Sequence, residues 1–182
     1  MIDLSLVPDG GLAWLDGSGP LGAIVLSTRI RLARNVAGVP FPARAGADAR
    51  ADVLDLVDRA WRAAPVARGS VRFVLDELED ADRLLLHERH LVSRELTAAP
   101  VEREGGSGAA VYLSGATGVM VNEEDHLRLQ TLHSGFALAQ AYGAAEALDA
   151  ALGAAIPSPS IRSLGILRPA RRMPARVCAR RS

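Results

Sequence analysis

Apolar and polar residues alternate from Ile24 onward. Ile24, Leu26, Thr28, Ile30 and Leu32 fall on one side, and Val25, Ser27, Arg29, Arg31 and Ala33 on the other. That period of two predicts a strand with one apolar and one cationic face. From Asp48 to Ala64 the spacing becomes helical, with Leu54, Val57, Ala60, Trp61 and Ala64 on one stripe and Pro65 as the stop. Val71, Phe73 and Leu75 alternate as a short strand, and Asp76 to Leu91 returns to helical character through Leu78, Leu84, Leu85 and Leu86. Ala110 to Leu113 and Gly118 to Val121 read as two strands joined by Ser114-Gly115-Ala116-Thr117, a tight turn that favours antiparallel pairing. Ser134 is the expected N-cap of a last helix, whose buried face is Leu138, Tyr142, Ala145, Leu148 and Leu152. Ahead of all this runs a Gly-rich lead-in, residues 1–22, with Trp14 and Leu15 as its expected anchors.

The predicted class is therefore α+β: an antiparallel sheet with packed helices. With 182 residues and 49% hydrophobic content the chain can bury one ordinary core. No run approaches the roughly 18 to 20 apolar residues of a membrane span, and the N-terminus has no secretory leader, so a soluble cytoplasmic protein is expected. A single cysteine, Cys178, excludes an internal disulfide framework. Charge divides the chain sharply. Residues 1–156 hold fourteen arginines and all twenty-one acids, whereas residues 157–182 hold seven arginines and no acid. This tail also carries four prolines and no sustained period. It reads as a solvated basic extension or as a nucleic-acid arm acting by phosphate neutralisation.

Two segments bear chemistry. Arg29 and Arg31 project from one strand face about 7 Å apart, close enough to grip neighbouring phosphates, each with a bidentate fork. The same pattern also suits an edge strand that carries charge against aggregation. The second segment is Asn122-Glu123-Glu124-Asp125-His126-Leu127-Arg128. Three consecutive acids serve a solvated turn, a helix N-terminus, or a cleft where carboxylates hold a cationic substrate beside an arginine. His87, His90, His126 and His133 lack a metal-ligand pattern, so no metal site is expected. No phosphate-loop or dinucleotide fingerprint is present.

At these two segments the sequence resembles the catalytic domain of the guanidino (phosphagen) kinases, most of all the protein-arginine kinase branch. The likeness rests on Ser27-Thr28-Arg29-Ile30-Arg31-Leu32-Ala33-Arg34-Asn35 followed by Pro40-Phe41-Pro42, and on Asn122 to Arg128. Glu88-Arg89-His90-Leu91-Val92-Ser93 and Ser134-Gly135-Phe136 add to it. The resemblance implies a glutamine-synthetase-like sheet. It implies ATP contacts from Ser27, Thr28, Arg29, Ile30, Arg31, His90 and Arg128, with Mg²⁺ carried on the nucleotide. Glu123 and Glu124 would hold and activate the guanidinium of a protein arginine. A small-molecule guanidino kinase is the alternative within the family, and a nucleic-acid-binding protein using the Arg-rich tail is the alternative outside it. Partners implied by the resemblance are an adaptor protein, a heat-shock repressor and the Clp protease machinery.

Residues 23–156 match the first part of that domain, and the family's continuation is missing from residues 157–182. Shifting the reading frame from Ser163 onward permits Leu-Gly-Tyr-Leu-Thr-Ala-Cys-Pro-Thr-Asn-Ala-Gly-Thr-Gly-Leu-Arg-Ala-Ser-Val, which is the family's own continuation. The tail is therefore expected to be an out-of-frame translation, leaving the catalytic domain incomplete at its C-terminal side and the chain inactive.

Overall fold

The structure is a computed structural model that describes residues 7–97, 106–156 and 176–179. Six strands, β1 (Val25–Arg34), β2 (Val71–Val74), β3 (Ala110–Ser114), β4 (Thr117–Val121), β5 (Leu127–Ser134) and β6 (Arg176–Ala179), form one sheet in the order β2-β3-β4-β5-β1-β6. All neighbours run antiparallel. The helices are α1 (Ala47–Ala63), α2 (Asp80–Glu88), α3 (Arg94–Thr97) and α4 (Leu138–Gly153). Most of the basic tail lies outside the described residues; within it, Arg176–Ala179 adds a strand beside β1 where no regular structure was expected.

Each strand buries alternate residues on opposite faces. On one face Ile30, Leu32, Tyr112, Val119, Val121, Leu127 and Leu129 pack against Val53, Val57, Ala60 and Trp61 of α1 and Ala141, Ala145, Leu148 and Leu152 of α4. On the other, Val111, Leu113 and Met120 meet Leu75, Leu86, Leu91, Val92 and Leu96 around α2 and α3. That second layer covers the β2-β3-β4 half of its face. The β5-β1 half carries Arg29, Arg31, Arg128 and Gln130 instead.

Three expectations need correction. The helix expected over Asp76 to Leu91 is shorter, Asp80–Glu88, so Leu78 and Leu91 lie outside it, and of its leucines Leu86 is fully buried while Leu84 is 54% exposed. Leu15 is not an anchor, being 41% exposed, whereas Trp14 is buried. Ser134 ends β5 and does not cap α4, which starts at Leu138. Among the described residues no side chain caps α4; its approach is fastened from β1 instead, where Ala137 N donates to Thr28 Oγ1 at 2.9 Å and the Thr28 hydroxyl donates to Gly135 O at 2.6 Å. A residue remote in sequence thus holds the chain where it enters α4, in place of the local Ser cap that was expected.

The lead-in crosses the end of β5 at two glycines. A Cβ on Gly19 would stand 1.9 Å from Ser134 O, and one on Gly135, at φ 65°, would stand 2.4 Å from Pro20 O. Only bare backbone fits there. Gly19→Ala is expected to lower stability by about 1–3 kcal/mol, the cost of overpacking a filled contact, read from the urea-unfolding midpoint. An unchanged midpoint would show that this crossing is not closed in solution.

Candidate active site

The cationic floor follows from strand register. β1 and β5 pair with Arg29 opposite Leu132, Arg31 opposite Gln130 and Ala33 opposite Arg128. Directly opposed residues share a face, so Arg29, Arg31, Arg128 and Gln130 lie together on the β1–β5 half of the face on which α2 and α3 pack. Arg29 and Arg31 are half-buried, and Arg128 and Gln130 are buried. The Gln130 amide donates to His90 O at 3.0 Å and Leu91 O at 3.1 Å, tying the turn after α2 down onto the sheet. His90 itself takes φ 59°, and its ring meets Trp14 edge-on with centroids 5.0 Å apart. Burial pushes the His90 imidazole below its ordinary value, and the positive charges of Arg29, His87 and Arg31 push it further. The ring is therefore neutral near pH 7 and in the electrostatic field of both strand arginines.

The acids sit in the turn between β4 and β5. Asn122 opens this turn at φ 57°, a conformation asparagine tolerates. Its Nδ2 donates to Arg50 O and Gly108 O, both at 2.8 Å, which anchors the turn to α1 and the approach to β3. The next residue, Glu123, has a fully buried side chain, and Arg128 Nη1 donates to its Oε1 at 2.6 Å. Arg128 Nη2 reaches Glu124 Oε2 at 3.1 Å, while the Glu124 side chain is 71% exposed. One guanidinium thus bridges a buried and an open carboxylate. Glu123 Oε2 is buried with no hydrogen-bond partner of good geometry among the described residues. Burial raises the Glu123 carboxyl above its usual range, aided by Glu95; the Ser93 hydroxyl, Arg128 and Arg31 oppose that rise.

The segment leaving β1 is fastened to this turn. Asn35 Nδ2 donates to Asp125 Oδ1 at 2.8 Å, and the His126 amide donates to Asn35 Oδ1 at 3.0 Å. Val36 N donates to His126 Nδ1 at 3.0 Å, and His126 Nε2 lies 2.7 Å from Pro40 O. The Phe41 ring stacks on the imidazole, with centroids 6.2 Å apart and planes 9° from parallel.

Of the residues expected in the site, Arg29, Arg31, His90, Glu123, Glu124 and Arg128 come together, and Ser27 shares the arginine face while being buried. Thr28 and Ile30 point the other way. Thr28 is consumed by the start of α4 and Ile30 by the core. They shape the strand, and their side chains do not face the cations. Sequence reasoning missed Gln130, whose place was legible in the alternation of Leu127, Leu129 and Thr131 with Arg128, Gln130 and Leu132. It also missed Ser93, Glu95 and the anchoring role of Asn122, for which no local signal exists.

This arrangement can hold polyphosphate oxygens over the arginines and a cationic group against Glu124. The family model for the ATP:guanido phosphotransferase C-terminal catalytic domain matches residues 55–170. The protein-arginine kinase of Moorella thermoacetica is 44% identical over 154 residues, covering 82% of this chain and 42% of that protein. That of Bacillus subtilis is 35% identical over 146 residues, covering 79% and 39%. The chain thus spans about two fifths of the length of the curated relatives it matches. Among solved structures, the taurocyamine kinase of Schistosoma mansoni with bound transition-state analogue components superimposes with a TM-score of 0.68 at 24% identity, over 87% of this chain and 22% of that one. Lombricine kinase gives 0.62 at 18% identity, over 77% and 42%. The antiparallel sheet with its packed helices is accordingly the phosphagen-kinase fold, and the chain belongs to the ATP:guanido phosphotransferase family through its C-terminal catalytic domain.

Proposed function

We propose that the site serves ATP-dependent phosphorylation of arginine side chains in proteins. The observation that carries this is the meeting of Arg29, Arg31 and Arg128 on one sheet face with Glu123 and Glu124 at its rim. The relatives from Moorella thermoacetica and Bacillus subtilis are protein-arginine kinases. A substrate guanidinium is protonated at neutral pH and has no free pair to attack with. The exposed Glu124 carboxylate orients it and accepts a proton from the attacking nitrogen. That nitrogen forms the bond to the γ-phosphorus as the bond to the bridging oxygen breaks, and ADP leaves. The arginines align the transferring group and meet its charge, with the Mg²⁺ that travels on ATP. Glu123 keeps Arg128 fixed between the two substrates. The cytoplasm, and an adaptor protein, heat-shock repressor and Clp machinery as partners, belong to this same proposal, as does the out-of-frame origin of the tail.

The test supplies Mg-ATP with an arginine-rich unfolded protein, or with free arginine, and measures phosphoarginine and nucleotide affinity. Phosphate on protein arginines, falling about 10²- to 10³-fold with Arg29→Ala, supports the proposal. Nucleotide binding that needs Arg29 but gives no product supports the site together with an out-of-frame tail, which the base sequence then checks. Product on free arginine alone moves the assignment to a small-molecule kinase. Nucleotide affinity indifferent to Arg29, with no product, overturns it.

A further inference from the structure

The β1–β5 ladder ends at Arg34 opposite Leu127. Glu124 stands three residues beyond that last pair, so strand register alone does not set its distance from Arg29 and Arg31. Beyond the ladder, the two departing segments are joined by the Asn35–Asp125 and His126–Asn35 bonds and by both nitrogens of the His126 ring. The ring is 1% exposed. An amide can only donate, so Val36 N requires an unprotonated Nδ1; the proton then sits on Nε2, and Pro40 O accepts it. One neutral tautomer satisfies both contacts, and the cationic form satisfies only one. Pro40 and Pro42 have no amide hydrogen with which the segment could fasten itself otherwise.

We infer that His126 is a positioning residue: its Nε2–H imidazole locks the segment after the arginine strand to the acid turn and so sets the spacing between the phosphate-binding and guanidinium-binding groups. The inference rests on the proposed reaction only for its effect on turnover. The groups facing the ring from the other segment, Val36, Pro40 and the Phe41 ring, are uncharged, and Asp125 on its own turn is the charged neighbour. Burial lowers the imidazole below its ordinary value, against the smaller opposing effects of Pro40 O and Asp125. The sign is then fixed: the lock is whole above the ordinary histidine range and is lost as pH falls through the lowered value.

The test follows the His126 ring nitrogens and the Val36 amide of the whole chain by NMR from pH 8 downward. Expected are an unprotonated Nδ1 near neutrality and Val36 protection that drops about tenfold or more as the ring takes up its proton. Asparagine places its carbonyl oxygen near the position of Nδ1 and does not titrate. His126→Asn should therefore keep Val36 protected throughout while losing the Pro40 contact. His126→Phe should lose the protection at every pH; if that variant fails to fold, the asparagine variant and the wild-type titration still decide. In any chain or relative that turns over, His126→Phe should lower kcat about tenfold or more and leave Mg-ATP affinity within about twofold, because the strand arginines stay in register. A proton found on Nδ1 overturns the inference. So does Val36 exchange that ignores the ring's titration, or an asparagine variant as acid-sensitive as wild type. Absence of phosphoarginine would count against the proposed function alone, since the NMR result does not depend on it.

Discussion

Arg128→Ala is expected to lower the unfolding free energy by about 3–5 kcal/mol, because it leaves the Glu123 carboxylate buried without its ion-pair partner. The same guanidinium also fixes Glu124 and belongs to the cationic floor, so Mg-ATP affinity should fall about tenfold or more. The two effects separate by pH. Burial already holds the Glu123 carboxyl above its usual range, and removing Arg128 takes away an interaction that opposed the rise. A carboxyl whose folded value lies above its unfolded value favours folding in its protonated form, and that contribution is lost as pH rises. The stability deficit of the variant should therefore be largest near pH 8 and shrink toward pH 5, as urea-unfolding midpoints at the two pH values will show. A deficit independent of pH would mean that Glu123 is not left charged and buried.

Glu124→Gln, placed at the matching position of a full-length relative, is expected to cut phosphoryl transfer to arginine about 10²- to 10⁴-fold, the usual contribution of a positioned proton acceptor. Glutamine keeps the size and one carbonyl oxygen, so it can still hold a guanidinium but cannot take its proton. With a side chain 71% exposed, Glu124 contributes little to packing, and the variant should unfold at the wild-type midpoint. Glu123→Gln should behave in the opposite sense, losing stability first. If the two variants lose turnover equally with unchanged stability, the division between an anchoring and a reacting carboxylate is wrong.

The hydrophobic pattern located what depends on local periodicity. β1, α1 and the β3–β4 hairpin stand where alternation, helical spacing and the Gly115-Ala116 turn placed them. What failed depended on distant partners. The start of α4 is set by Thr28, more than a hundred residues away, so no window around Ser134 could reveal it. The leucine run of α2 could not be oriented, because a short helix offers several apolar stripes and the choice of Leu86 over Leu84 is made by the sheet beneath it. β5 alternates cleanly, yet Leu127 and Arg128 read as the end of the acid motif and masked the strand that begins there. The acid run fitted a solvated turn or a helix start equally well. It is a turn with Glu123 drawn inside, and burial there follows from Arg128 lying in the adjacent strand. That the cations and the acids converge came from family likeness at the motifs, since spacing along the chain does not contain it.

The pairing of Arg31 with Gln130 has a temporal side. A ribosome adding about 5–20 residues per second needs roughly 5–20 s to deliver the second strand after the first. Throughout that interval the earlier strand is a nascent edge seeking any neighbour. Charged side chains on such an edge discourage wrong annealing between chains. The guanidinium groups that would later grip nucleotide can therefore serve first as guardians of a polypeptide still being born.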